Sequence, residues 1–256
     1  MVLPAAVAEA AQAGNLAVVQ AYLEADRNPD EAAADGTRLL WNACSINHDA
    51  PRSLATLELV KFLLARGASP DAWSRDPTEL RARTALHAVL FRHAARDENV
   101  LKFATLLIDA GADPMLHDGD EGSPFQMLIQ TCGHFEAGYE LMVLFLRSGA
   151  SRESLTTDEV ITGMREQRKV YRSLDWTSTE RVQKCFDLVD AVVAAGGTWR
   201  QYCLLPHKRL LRLRSLVARG RAWAGPETPA VVERILKPSL PNGVLWNILE
   251  YWSATR

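Results

Sequence analysis

Residues 106–118 read LLIDAGADPMLHD, and the chain says nearly the same thing twice more, as LLARGASPDAWS at 63–74 and FLRSGASRES at 145–154. Aligned on glycine, LELVKFLLARGAS, NVLKFATLLIDAGAD, YELMVLFLRSGAS and FDLVDAVVAAGGT bring Gly67, Gly111, Gly149 and Gly196 to one position. Each carries apolar residues at i, i+3, i+4 and i+7, the spacing of one buried helical face. A glycine just past the last periodic residue can take the left-handed backbone that closes a helix, which a Cβ opposes. Ser69-Pro70 and Asp113-Pro114 then turn the chain, because the residue before proline is pushed out of the helical region.

A second helix precedes each of these. GTRLLWNAC (36–44), RTALHAVL (83–90) and GSPFQMLI (122–129) share a turn followed by small and apolar residues at helical spacing. Thr84 and Ser123 stand where an N-cap accepts bonds from free backbone N–H groups. Pro124 sits in the first turn, where its missing N–H costs nothing. One such pair cannot bury its apolar face alone, so neighbouring pairs are expected to stack into a continuous core.

On these motifs the chain resembles the ankyrin-repeat family. TALH at 84–87 is similar to the family's Thr-Pro-Leu-His, with Ala85 for proline, and LLIDAGAD to its second-helix ending. The resemblance implies an all-α, ankyrin-type helical-repeat solenoid of about five units with short hairpin turns. Its concave side, built by first helices and turn tips, would hold another macromolecule. It also implies that His87 bonds neighbouring backbone and locks adjacent units, while Trp41 replaces the usual histidine of its first helix and belongs to the core. The glycine spacings, 44 and 38 residues, exceed the family period of about 33. Extra residues fall between paired helices (SINHDAPRSLAT, FRHAARDENV, QTCGHFEAG) and in the hairpin before Thr84 (WSRDPTELRA); they are either added helical turns or loops. Residues 1–150 carry the repeats, opening on a capping unit with Asp26 where a glycine would fall. Residues 151–200 read as a degenerate repeat and 201–256 as a basic helical C-terminal cap or recruitment module.

Composition argues against most other classes. A formal net charge of −2 gives no whole-protein footprint for nucleic acid or membrane. Cys44, Cys132, Cys185 and Cys203 form no CxxC pair and read as small buried residues in a reducing compartment. The Ala-rich start lacks a basic n-region and no window approaches about 18 consecutive apolar residues, so the expectation is a soluble, cytoplasmic chain. Neither GxxxxGK[ST], GxGxxG nor GxSxG occurs, and the scattered histidines, with Cys132-Gly133-His134 the only close pair, lack metal-ligand spacing. Asp118 and Asp120 in HDGDEG lack the downstream glutamate of a calcium loop. The reading is a non-enzyme without cofactor or metal.

Candidate partner contacts follow from exposure and charge. Trp73, Arg75, Asp76 and Arg83 belong to the lengthened hairpin. Trp73 there is either an anchor for a partner, since tryptophan is enriched at hot spots, or folded back locally. Asp118 and Asp120 decorate an exposed turn. No acid lies between Asp190 and Glu227, a segment that includes Arg200, Lys208, Arg209, Arg212, Arg214, Arg219 and Arg221. Of these, Arg209, Arg212 and Arg214 are the candidate contacts. No aromatics alternate with these arginines, so an acidic protein patch or a solvated face is favoured over nucleic acid.

At the C-terminus, Leu240-Pro241-Asn242-Gly243 opens a stripe of Val244, Leu245, Ile248, Leu249 and Trp252. A Leu-Pro turn before an apolar helix is similar to the start of an F-box and to the end of a SOCS box. The latter implies recruitment of elongin and cullin subunits of a ubiquitin ligase, with RSLVARGRA as the upstream helix. Gly220 departs from that pattern. The plainer reading is a cap over the open end of the stack.

Overall fold

The stripes ending at Gly67, Gly111 and Gly149 each fold as the second helix of a pair, and the stripe before Gly196 is helical as well. The computed structural model describes residues 2–45, 54–75, 82–90, 99–117, 122–149, 162–166, 169, 176–223, 225, 227–237, 239–241, 243–245 and 247–249, and these are mostly helical. In chain order the elements are α1 Ala5–Gln12, α2 Leu16–Glu24, α3 Leu39–Cys44, α4 Leu54–Ala65, β1 Ser74–Arg75, β2 Ala82–Arg83, α5 Ala85–Leu90, α6 Val100–Asp109, α7 Pro124–Thr131 and α8 Gly138–Arg147. Helices α9 Trp176–Ala194, α10 Trp199–Ala218 and α11 Ala230–Leu236 follow. None of the described helices is long and apolar enough to cross a membrane.

The chain divides into two compact units, Met1–Asp190 and Ala191–Arg256. In the first, α1–α2, α3–α4, α5–α6 and α7–α8 pack as pairs. Helices α1, α3, α5 and α7 touch in succession as one row, and α2, α4, α6 and α8 as another. The stripes face inward: Leu59, Leu63, Leu86, Phe103, Phe125 and Phe145 are fully buried. Residues 162–166 are helical and come near α7: a Cβ on Gly163 would stand 3.7 Å from Ile129 Cγ2.

The glycine stops behave as the local argument requires. Gly67 and Gly111 have φ 86° and 97°. At each, the glycine N–H and the next N–H donate back into the last turn: Gly67 to Leu64 O and Ala68 to Leu63 O, Gly111 to Ile108 O and Ala112 to Leu107 O, all at 2.9–3.0 Å. That pair of bonds satisfies carbonyls a helix end leaves open. Asp26, at the expected glycine position, is the one described non-glycine residue with positive φ, 57°.

Helix α7 starts as expected too. Ser123 and Gln126 form a reciprocal capping box, and Pro124 begins α7. Of the extra residues, QTCGHFEAG is resolved in kind: α7 runs on to Thr131 and a tight turn leads to Gly138. That turn is close, since a Cβ on Gly138 would lie 2.1 Å from Cys132 O. Most of SINHDAPRSLAT and FRHAARDENV lies outside the described residues.

In the second unit, Ile235 of α11 clusters with Leu245 and Leu249, and Leu210, Leu211 and Leu240 pack against them. Residues 243–245 and 247–249 are helical, so the apolar stripe after the Leu-Pro turn turns inward, with Val244 left exposed. Trp252 lies outside the described residues.

Candidate partner-binding surface

The hairpin between the second and third pairs is held from both sides. Ser74 pairs with Arg83 and Arg75 with Ala82, antiparallel. Arg38, from the preceding pair, donates its Nε to Trp73 O at 2.8 Å and its backbone N–H to Ser74 Oγ at 3.0 Å, while its Nη1 bonds Asp30 O. Arg75 N–H donates to Gly36 O at 3.1 Å. On the other side the Trp73 ring lies against the His87 ring, 6.1 Å between centroids.

His87 links consecutive units. Thr84 N–H donates to its Nδ1 at 3.3 Å, and Thr84 Oγ1 is 2.8 Å from the same nitrogen. A backbone N–H can only donate, so Nδ1 is the acceptor and the proton sits on Nε2, which faces Gly122 O at 3.3 Å. His87 thus does for Thr84 what Gln126 does for Ser123, and also reaches the next hairpin. Trp41, at the same helix position, is buried in the core with no partner for Nε1 among the described residues.

A second link recurs at the turn tips. Asp30 accepts Ser69 N–H on both carboxylate oxygens at 3.1 Å, and Asp71 accepts Asp113 N–H at 3.0 Å. Burial raises the Asp71 pKa, opposed by that backbone bond and aided by the nearby Asp113 charge. Met115 occupies the next equivalent place, and the run of carboxylates ends there.

The candidate contacts therefore part company. Arg75 is exposed and Trp73 half-buried, so the ring has folded back on His87 instead of standing free. Arg83 is buried, 5% exposed, because its strand packs inward ahead of α5. Asp76, Asp118 and Asp120 lie outside the described residues. On α10, Arg209 and Arg212 are exposed, but Arg214 is buried and bonds Leu240 O. Neither buried arginine is available as a surface contact. Arg38, which holds the hairpin, escaped the sequence reading. The repeated Pro-Asp at 29–30 and 70–71 was a signal for the carboxylate links.

No group of three or more His, Cys, Asp or Glu among the described residues could hold a metal ion. Cys132 is buried while His134 is exposed, so that pair points apart. The Cys132 thiol pKa is raised well above its ordinary value by its bond with Cys185 and by burial, opposite to an activated nucleophile. No protein-family model and no curated protein matches the chain.

Proposed function

We propose that residues 1–150 form an ankyrin-type solenoid, followed by a degenerate repeat over 151–200, acting as a non-enzymatic scaffold or adaptor that holds one protein partner on its hairpins and first-helix row. The observation that carries this reading is the double row of helices, tied unit to unit by Asp30, Asp71 and His87. Such ties spend polar side chains on holding a rigid surface, and rigidity favours binding because less freedom is lost on association. Arg75 stands on that surface, exposed beside Gly36.

A second reading, supported by the separate apolar cluster of Ile235, Leu245 and Leu249, makes residues 191–256 a recruitment module for cullin-type ubiquitin-ligase subunits, with the repeats choosing substrate. Affinity purification with mass spectrometry separates the two. The full chain, its Arg75→Glu variant and a truncation ending at Gly197 are compared. A partner kept by the truncation and lost by Arg75→Glu supports the scaffold. Cullin with elongin or Skp1-like proteins, recovered only by the full chain, selects the adaptor. A partner indifferent to both changes overturns the assigned surface.

A further inference from the structure

The charge is split between the two units. Residues 191–256 hold 10 Lys and Arg against three Asp and Glu, whereas 1–190 hold 19 against 28. Much of the excess sits on α10. At 3.6 residues per turn, Lys208, Arg209 and Arg212 share an arc of about 100°, and all three are exposed. The opposite arc carries Leu210 and Leu211, packed on the Ile235 cluster, and the buried His207 and Arg214. The cationic face is therefore the one the unit's own core does not use.

Four lysines elsewhere are neutralised by an acid three or four residues away, while Lys102 of α6 bonds Asn99. Lys61 pairs with Glu58 at 2.7 Å, Lys169 with Glu166 at 2.7 Å, Lys184 with Glu180 at 2.9 Å and Lys237 with Glu233 at 3.2 Å. On α10 no acid lies within four residues of any cation. Instead Lys208 and Arg209 stand four and three residues before Arg212, like-charge spacings that oppose helix formation. Folding alone does not favour this pattern, and a bound acidic surface would relieve it.

The face is not purely ionic. Leu213 is 46% exposed beside Arg209 and Arg212, and Trp223 is 84% exposed just beyond Arg219 and Arg221. Successive open aromatics, the platform for stacking bases, are lacking among the described residues here: Trp199 and Tyr202 are half-buried with rings 5.4 Å apart. An aliphatic side chain among cations matches a partner that alternates carboxylates with apolar groups.

We propose that the exposed face of α10, with Arg219, Arg221 and Trp223, docks an acidic amphipathic segment of a partner protein, its carboxylates on Lys208, Arg209 and Arg212 and its apolar side chains on Leu213 and Trp223. This surface stands on 191–256 alone and does not depend on what the repeats hold. The test is fluorescence anisotropy on the full chain, using a labelled peptide with glutamates and leucines at helical spacing as the probe. A single-stranded RNA and phosphatidylserine vesicles are competitors. Binding that falls at least tenfold in Lys208→Glu/Arg209→Glu/Arg212→Glu, weakens with salt and drops severalfold in Trp223→Ser supports the proposal. If charge reversal lowers helix content by circular dichroism, the glutamine triple Lys208→Gln/Arg209→Gln/Arg212→Gln must show the loss with helicity intact. No binding at low salt, unchanged binding by the triple variants, or tighter binding of RNA or vesicles than of the peptide overturns it.

Discussion

Asp26 is a carboxylate residue holding a glycine's conformation. A residue with a Cβ is strained there, though aspartate less than most. Asp26→Gly is expected to stabilise the fold by up to about 1 kcal/mol, despite the added freedom of the unfolded chain, as read by urea denaturation. Asp71 separates hydrogen bonding from charge. Asp71→Ala leaves Asp113 N–H without its acceptor and is expected to cost about 1 kcal/mol. Asp71→Asn keeps an acceptor and loses the partly buried charge, so it should be near neutral or stabilising at pH 7. Because the folded-state pKa of Asp71 is raised, the native state binds that proton more tightly than the unfolded chain does. The resulting gain appears as pH falls through the raised value and is complete below the ordinary aspartate range. Denaturation of Asp71→Asn across that window should lack this part of the pH slope; an unchanged slope refutes the assignment.

At the scale of elements, the helix ends and the links between hairpins carry the specificity. His87→Ala removes both the Thr84 cap and the contact with Gly122 and is expected to cost about 2 kcal/mol. His87→Gln should recover roughly half, because glutamine can cap as Gln126 does but is not placed to reach Gly122. Equal losses in the two variants, by thermal or urea unfolding, would show that capping carries nothing. The caps and glycine stops were legible beforehand because each depends on residues within one turn of chain. The bonds of Asp30, Asp71 and Arg38 to the next hairpin were harder to read, since their partners stand 35–42 residues away and helical periodicity does not report them; only the repeated Pro-Asp at 29–30 and 70–71 marked the carboxylates. Burial of Arg83 and Arg214 was hidden for the same reason: a charged residue reads as surface until another element covers it.

For the whole molecule, the two units predict separable responses. Leu86 is fully buried in the middle of the first-helix row, and Leu86→Ala is expected to cost about 2–5 kcal/mol. Hydrogen exchange should quicken in α3, α5 and α7 together, because neighbouring pairs stabilise one another. Leu249→Ala, in the Ile235 cluster, should raise exchange in α10 and α11 and leave α3 to α6 as protected as before. Loss of protection in α3 to α6 would mean that the compact units are not energetically separate.

The sequence by itself determined the repeated pair of helices, their glycine stops, the Ser123 cap and the place of Asp26 where a glycine would fall. Those features rest on side-chain period and backbone stereochemistry, which act over a few residues. Only the tertiary structure decided which candidate residues face outward. It folded Trp73 onto His87, buried Arg83 and Arg214, turned Leu245 and Leu249 inward, and left Arg75, Arg209 and Arg212 exposed. Exposure belongs to the packing of elements distant in sequence, where each side chain's environment is supplied by a different part of the chain.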